Sequence, residues 1–155
     1  MKLMVINGAN INMVGIREKN IYGDRDFASL IDLIRQYAAE KGVEVLCLQS
    51  NHEGDLVDWI QKAYYDSYDG IIINPGAYTH TSLAIADAIK AIAPLPIIEV
   101  HLSDISQREE FRHRSFSAPY CLKQIKGLGF QGYLKAMDEL IAYCQKKSVE
   151  TEEGE

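Results

Sequence analysis

The chain has few of the features that mark membrane-spanning, exported or metal-binding proteins. No apolar run approaches the ~18 residues that a membrane-spanning helix needs. The first residues, "MKLMVINGAN", pass from one lysine directly into a short apolar stretch, which is unlike a signal peptide. The three cysteines, Cys47, Cys121 and Cys144, are widely spaced and form no C-x-x-C pair. This pattern is typical of reduced proteins without a bound metal, so we expect a cytoplasmic location.

The chain also lacks any excess of positive charge. Its net charge is −6, and most of that charge comes from four glutamates within residues 148–155, a segment that contains no basic residue. This distribution does not favour nucleic acid or an anionic membrane as a partner. We expect residues 1–147 to form a single domain and residues 148–155 to be a disordered acidic tail.

The apolar residues that are present, 47% of the chain, are enough for a full-sized core. Short apolar runs predict strands at residues 2–7, 43–49, 70–74, 96–101 and, more weakly, within 120–127. Amphipathic helical patterns lie between these runs, and their alternation predicts an α/β fold with a parallel sheet covered on both faces. Five strands of this kind most often take the order 2-1-3-4-5, which is a flavodoxin-like three-layer sandwich.

Unusual polar residues follow strands 1, 3 and 4. In the predicted strand order, the ligand crevice lies at the carboxyl ends of these strands. The segments "NGANINMVGIREKNIYGD", "NPGAYTHTS" and "EVHLSD" with the following "REEFR" all begin there. We expect them to bring together Asn10, Arg17, Tyr22, Asn74, His80, Glu99, His101, Ser103 and Arg112.

Glu99 and His101 are two residues apart in a predicted strand, so their side chains share one face of the sheet. Two ionisable groups in an apolar strand are costly to desolvate unless they pair. A carboxylate beside an imidazole fixes the tautomer of the ring and favours its protonated form, which suits a general acid. A purely structural pair is the alternative, but the position at the ligand edge favours catalysis.

Residues 8–25 form a long connection between a strand and a helix, where two to about six residues are usual. Such a segment predicts a lid over a binding site, and a solvent-exposed loop is the alternative. Tyr22 lies in this segment, and a tyrosine that acts as a base near neutral pH needs roughly 4 kcal/mol of stabilisation of its phenolate. Arg17, five residues earlier, is a cation that can supply much of that stabilisation.

The segment after strand 4 is suited to binding a small anionic substrate. Backbone N–H groups that follow a strand, together with the Ser103 hydroxyl, can hold a carboxylate. A short helical segment is predicted within "SQREEFRHR", where Arg108 and Arg112 would share one face. Pairing with Glu109 or Glu110 is the alternative role for Arg108 and Arg114, so Arg112 is the main candidate for the substrate and Arg108 a possible one. No third histidine or carboxylate recurs at the spacing of metal ligands, so no metal site is predicted.

Seven segments resemble those of the type II 3-dehydroquinate dehydratases. They are "NGANIN", "GIREKNIYG", "QSNHEGDLVDWI", "NPGAYTHTS", "IIEVHLSD", "REEFRHRS" and "GLGFQGY", and they occur in this order between residues 7 and 133. The resemblance implies a flavodoxin-like subunit that assembles into a dodecamer of four trimers. It also implies the reversible loss of water from 3-dehydroquinate to give 3-dehydroshikimate, in the shikimate pathway, without metal or organic cofactor.

The resemblance also assigns roles to individual residues. Tyr22 would be the base, Arg17 would lower the Tyr22 pKa, and Asn10 would hold a water against the enolate oxygen. His101, oriented by Glu99, would protonate the departing hydroxyl. The substrate ligands would be Asn74, His80, Asp87 from a neighbouring subunit, Leu102, Ser103 and Arg112.

Three positions depart from the usual family pattern. Ala9 stands in place of a proline, Ala86 in place of an arginine, and Asp104 in place of an asparagine. The alternative function is a flavodoxin-like module that binds a small anion or a nucleotide without catalysis. The loop "GANINMVG" contains neither G-x-G-x-x-G nor a Walker A motif, which disfavours the nucleotide.

Overall fold

A computed structural model describes residues 1–16 and 25–154 of the chain. Its centre is a five-stranded parallel sheet in the order β2-β1-β3-β4-β5. The strands are β1 (Lys2–Asn7), β2 (Glu44–Gln49), β3 (Gly70–Asn74), β4 (Ile97–His101) and β5 (Lys123–Lys126). The predicted fold class and strand order are confirmed.

Four α-helices connect and cover the strands. They are α1 (Phe27–Glu40), α2 (Glu53–Tyr65), α3 (Leu83–Ala91) and α4 (Gln131–Glu153). Two of them begin at side chains that accept backbone hydrogen bonds: Asp26 accepts from Ser29 N–H, and Ser82 accepts from Ile85 N–H at 2.9 Å. Such caps satisfy donors that the first turn of a helix leaves unpaired.

Each face of the sheet has its own apolar core. Leu3, Val5, Ile72 and Val100 project towards α1 and α4. Alternate residues of the same strands project towards α2 and α3, namely Met4, Ile6, Ile71, Ile73 and Ile97. Because side chains of a strand alternate between faces, a strand covered on both sides is apolar along most of its length, as the central strands β1 and β3 are. The result is a three-layer arrangement.

The predicted short helix within "SQREEFRHR" is wrong. The structure has two separate 3-10 turns, Ile105–Gln107 and Glu110–Arg112, with Arg108 extended between them at φ −101° and ψ −168°. Asp104 caps the first turn by accepting from Ser106 N–H at 3.0 Å. This side chain closes one short turn, and the extended residues after it prevent a continuous helix, so Arg108 and Arg112 do not lie on one helical face.

The expected disorder after residue 147 also differs from the structure, because α4 continues to Glu153. Ser148 Oγ donates to the Cys144 carbonyl at 3.0 Å, and Thr151 Oγ1 donates to the Lys147 carbonyl at 2.9 Å. Once a helix is anchored, each added residue gains a hydrogen bond without a new nucleation cost. The acidic residues extend α4 for this reason.

None of the helices in residues 1–16 and 25–154 combines the length and apolar character needed to cross a membrane.

Candidate active site

A cavity of about 100 Å³ opens at the carboxyl ends of β1, β3 and β4. This is the crevice that the strand order predicts, because the direction of winding reverses between β1 and β3. Its lining includes eight of the residues predicted from the sequence: Asn10, Asn74, His80, His101, Leu102, Ser103, Arg108 and Arg112.

The loops that leave β1 and β3 touch each other at one side of this cavity. Gly76 has a φ of +64°, and a Cβ at this position would lie 2.5 Å from the Ala9 carbonyl oxygen. Only glycine fits both the left-handed backbone and the close approach. Ala9, in place of the usual proline, is therefore the residue against which this loop packs.

Asn10 is held at the cavity by its backbone. Its φ is 67°, a left-handed conformation that asparagine tolerates, and its N–H donates to Asn51 Oδ1 at 3.0 Å. Gln49 Nε2 donates to the same oxygen at 3.2 Å, and the Tyr78 hydroxyl donates to the Asn51 carbonyl at 2.7 Å. In the sequence, Asn51 is identifiable only as an entry residue for α2. Its support of Asn10 depends on the pairing of β1 with β2, which no local pattern of residues reveals.

Glu99 and His101 form a buried, hydrogen-bonded pair in the site. His101 Nε2 lies 3.1 Å from Glu99 Oε2, and the residues are 5% and 0% exposed. Glu99 also accepts hydrogen bonds from Thr79 Oγ1 at 3.0 Å and from Gln124 Nε2 at 2.7 Å. The carboxylate lies behind the imidazole, and the imidazole lines the cavity.

Glu99 stays ionised despite its burial. Desolvation opposes ionisation, but the hydrogen bond and charge of His101, with the hydrogen bonds from Ser117 and Gln124, outweigh it and lower the pKa of Glu99 to about 2. An ionised carboxylate only accepts hydrogen bonds, so His101 Nε2 carries the proton that they share. This leaves Nδ1 as the nitrogen of His101 that can gain or lose a proton.

Asn74 is fixed by a buried network on the face of the sheet that α4 covers. Its Nδ2 donates to the Tyr133 hydroxyl at 2.9 Å, and that hydroxyl donates to Asn7 Oδ1 at 2.6 Å. Asn74 Oδ1 accepts from Gly76 N–H at 3.1 Å. A primary amide has two donor hydrogens and two acceptor positions, so Asn74 keeps one of each for a ligand.

His80 is oriented by the chain segment beyond the 3-10 turns. Its Nδ1 donates to the Arg114 carbonyl at 2.7 Å, because a carbonyl oxygen only accepts. Its Nε2 is consequently the acceptor that His80 can offer to a ligand when the ring is neutral.

Two arginines supply positive charge to the cavity, and Glu109 lies between them. Arg112 Nε is 3.0 Å from Glu109 Oε2, although the approach angle does not make this contact a hydrogen bond. Arg108 Nε is more distant, at 3.9 Å from the same oxygen. The predicted pairing with a glutamate thus involves Arg112 more closely than Arg108, yet both arginines line the cavity.

Asp104, which replaces the usual asparagine, is neutralised next to the cavity. It accepts from Ser106 Oγ at 2.6 Å and lies 3.4 Å from Lys126 Nζ. The Ser106 side chain and backbone N–H, followed by Lys126, lower the pKa of the Asp104 carboxyl. The cation that compensates the charge of Asp104 is therefore Lys126 of β5.

Two predicted residues of the described part of the chain, Glu99 and Asp87, do not line this cavity. Arg17 and Tyr22, with residues 17–24 of the predicted lid, lie outside the residues that the structure describes. Asp87 is exposed on α3 and does not line the cavity, while its neighbour Ala86 is 2% exposed. Within residues 1–16 and 25–154, no group of three His, Cys, Asp or Glu side chains is arranged to hold a metal ion.

Comparison with known proteins identifies the family to which this site belongs. A sequence model of the family "Dehydroquinase class II" matches residues 1–141. The chain belongs to the class II dehydroquinase family.

Relatives within this family match the chain over most of its length. A 3-dehydroquinate dehydratase of Clostridium perfringens is 55% identical over 147 residues, covering 95% of this chain and 100% of that protein. The crystal structure of the type II dehydroquinase from Butyrivibrio crossotus has a TM-score of 0.88 at 53% identity, covering 90% of this chain and 97% of that one. That from Propionibacterium acnes has a TM-score of 0.84 at 37% identity, covering 93% and 96%.

Membership of the class II dehydroquinase family confirms the resemblance seen in the sequence. It also makes the chain an enzyme of the hydro-lyase class. The cavity described above is therefore the candidate active site of a class II dehydroquinase, and the Glu99–His101 pair is its candidate proton-transfer group.

Proposed function

We propose that the chain is a 3-dehydroquinate dehydratase, which removes water reversibly from 3-dehydroquinate to give 3-dehydroshikimate in the shikimate pathway. The family and its closely similar relatives support the activity. The observation that carries the chemistry is the buried, ionised Glu99 behind His101, at a cavity that two arginines also line. A module that only binds anions has no need of such a pair, because burying it is costly.

His101 is the proposed general acid. With Nε2 tied to ionised Glu99, the protonated ring can donate its Nδ1 proton to the hydroxyl that leaves the substrate. The carbon–oxygen bond breaks, and water departs. His101 then stays neutral with its remaining proton on Nε2, facing Glu99, until it takes up another proton.

Tyr22 is the proposed base, and this assignment rests on its place in the family motif "GIREKNIYG". The phenolate removes a proton from the carbon next to the ketone, which gives an enolate. Arg17 stabilises the phenolate by its charge, and Asn10 holds a water against the enolate oxygen. The enolate then expels the hydroxyl that His101 protonates.

Substrate binding is assigned to both sides of the cavity. The N–H groups that follow β4, at Leu102 and Ser103, and the Ser103 hydroxyl hold the substrate carboxylate. The ligands of the ring hydroxyls are Asn74, His80 and Arg112, with Arg108 as a further source of positive charge. We also propose a cytoplasmic dodecamer of four trimers, in which Asp87 of a neighbouring subunit reaches the site.

Turnover of 3-dehydroquinate by the purified protein tests the proposal directly. We expect ultraviolet absorbance to rise as the conjugated enone of the product forms, and we expect borohydride with substrate to leave the enzyme active. No rise in absorbance would overturn the activity, and inactivation by borohydride would indicate a Schiff base instead of an enolate mechanism. Tyr22→Phe should lower turnover at least about 100-fold, because it removes the base. Near-normal turnover would contradict the role of Tyr22.

A further inference from the structure

Glu99 accepts hydrogen bonds from three hydroxyl groups in addition to His101 and Gln124. Thr79 Oγ1 is 3.0 Å from Oε1, Ser115 Oγ is 2.9 Å from Oε2, and Ser117 Oγ donates to Oε1. We call Thr79, Ser115 and Ser117 the hydroxyl cluster. None of the three is predicted as a site residue from the sequence, because serine and threonine near turns usually hydrogen-bond to the local backbone.

The hydroxyl cluster is compact, and its protons are directed at the carboxylate. The three oxygens lie 2.7 to 3.2 Å from one another, so they leave no room for water among them. Ala118 N–H donates to Ser115 Oγ at 3.0 Å, which leaves the Ser115 proton for Glu99. Thr79 and Ser117 are each 1% exposed, so neither has bulk water as an alternative partner.

Both oxygens of Glu99 are engaged from different directions. Oε1 accepts from Thr79 and Ser117, while Oε2 accepts from His101, Ser115 and Gln124. A carboxylate held at both oxygens cannot rotate about its own axis. The direction in which Oε2 faces His101 Nε2 is therefore set by the hydroxyl cluster and the Gln124 amide.

The same cluster joins two segments that line the cavity. Phe116 N–H donates to the Thr79 carbonyl at 2.8 Å, and His80 Nδ1 donates to the Arg114 carbonyl at 2.7 Å. Thr79 precedes His80, and Ser115 follows the turn that carries Arg112. The orientation of Glu99 is thus coupled to the position of two proposed substrate ligands.

We propose that Thr79, Ser115 and Ser117 are positioning residues for the dehydration, which hold Glu99 ionised and aligned so that His101 carries its fixed proton on Nε2 and exchanges the catalytic proton on Nδ1. This inference rests on the proposed function for its kinetic consequence. The geometry around Glu99 carries it independently of the substrate.

The groups that face Glu99 from the surrounding elements are mostly neutral. His101 on the same strand is ionisable, and so is Cys121 before β5, whose pKa is raised far above its ordinary value by burial and by the Glu99 charge, so the thiol stays neutral. β3 contributes Ile73 opposite Glu99, and β5 contributes Gln124. Among the ionisable groups that face Glu99, His101 is therefore the one whose protonation should respond to loss of the hydroxyl cluster.

The test compares Ser115→Ala, Ser115→Thr and the double variant Ser115→Ala/Ser117→Ala with the intact chain. Ser115 is half-buried, so its truncation leaves the core unchanged. Ser148→Ala is the matched control, because Ser148 donates only to its own helix, far along the chain from Glu99. The measurements are kcat and KM for 3-dehydroquinate from pH 4 to pH 9.

We expect the double variant to lower kcat at least about tenfold with KM changed less than about threefold. We also expect the alkaline limb of its kcat profile to move down by about one pH unit, because a misaligned Glu99 carboxylate favours the protonated form of His101 less. Ser115→Thr, which keeps the hydroxyl, should stay within about threefold of the intact enzyme, as should Ser148→Ala. An unchanged kcat would overturn the proposal. So would an equal loss in Ser115→Ala and Ser115→Thr with the pH profile unmoved, since that result indicates a structural role only.

A second measurement separates this proposal from the activity itself. Infrared difference spectra between the intact chain and Glu99→Gln isolate the signal of the Glu99 carboxyl without any substrate. We expect protonation of Glu99 to begin at least about one pH unit higher in the double variant than in the intact chain. If the intact protein does not turn over 3-dehydroquinate, the proposed function fails. If the pH at which Glu99 takes up its proton is the same in the double variant and the intact chain, the positioning role is overturned.

Discussion

Glu99 and Asp104 are two carboxylates five residues apart that differ in burial and in the origin of their hydrogen-bond donors. Glu99 is fully buried and accepts hydrogen bonds from five side chains that come from four parts of the chain. Asp104 is partly exposed and takes its hydrogen bonds from Ser106 in its own turn. Its ion-pair partner, Lys126, is far away in the sequence. Both have a lowered pKa. The buried carboxylate depends on tertiary contacts, whereas the exposed one is satisfied by its local turn and screened by water.

The largest expected effect comes from removing the residue that connects Glu99 to the cavity. His101→Ala should lower kcat at least about 100-fold, because it removes the proposed acid. Steady-state kinetics on 3-dehydroquinate measures this loss. His52→Ala is the control, since His52 is exposed and its side chain makes no capping hydrogen bond. Comparable turnover in the two variants would contradict the role of His101 as the acid. Glu99 would then have no catalytic partner to distinguish it from Asp104.

The next effect concerns stability at acid pH. Because the pKa of Glu99 is about 2 against an ordinary 4.5, the unfolded chain binds the proton more readily than the folded one between these values. The stabilisation is complete above about pH 4.5 and is lost as pH falls towards 2, and it amounts to about 3 kcal/mol. Urea unfolding of the intact chain and Glu99→Gln from pH 6 to pH 2 should show a difference that shrinks by about that amount.

Asp104→Asn serves as the comparison for that titration. Its carboxyl also has a lowered pKa, so its contribution has the same sign and is lost as pH falls below the ordinary value of 3.8. Because the group is exposed, we expect the contribution to be much smaller than that of Glu99 and to fade with added salt. An equal loss of unfolding free energy at both positions would show that burial does not govern how much these carboxylates contribute to stability.

A smaller effect is expected from the neutral network around Asn74. Tyr133→Phe removes the hydroxyl that joins Asn7 to Asn74, both of them buried, and should cost about 1 to 3 kcal/mol of unfolding free energy. It should also raise KM, because Asn74 loses an anchor. Thermal unfolding and kinetics measure both changes. Tyr65→Phe is the control, since Tyr65 is 79% exposed, and equal stability of the two variants would contradict the structural importance of the network.

The smallest effect is expected from Asp104→Asn on catalysis. Removing a negative charge beside an anion pocket should lower KM by about twofold at low ionic strength, and the gain should disappear at high salt. Kinetics at two salt concentrations provides the measurement. A several-fold rise in KM would show that Asp104 has a role that neutralisation by Lys126 does not explain.

Much of the site can be found in the sequence because chain direction determines it. Polar residues that directly follow buried parallel strands must meet at one edge of the sheet, and Asn10, Asn74, His101 and Ser103 do so. The short helix predicted around Arg108 does not form, because an extended segment separates two capped turns. Helical spacing alone cannot reveal such an interruption.

The supporting residues could not be found in the same way. Ser117, Gln124 and Thr79 are ordinary polar residues in turns or on an edge strand, and their importance comes from their distance to one carboxylate. Asn51 and Lys126 likewise act through strands that pair across the sheet. Their partners are far away in sequence, so no local periodicity or motif records the contact.

The sequence by itself determined the order of strands and helices and the edge of the sheet at which the cavity opens. These features follow from local hydrogen bonding and from the alternation of apolar side chains, which act over a few residues. The tertiary structure alone decided that Glu99 is ionised, which nitrogen of His101 faces it, and which cation neutralises Asp104. Those outcomes depend on desolvation and on donors from distant segments, and both exist only after the chain has folded.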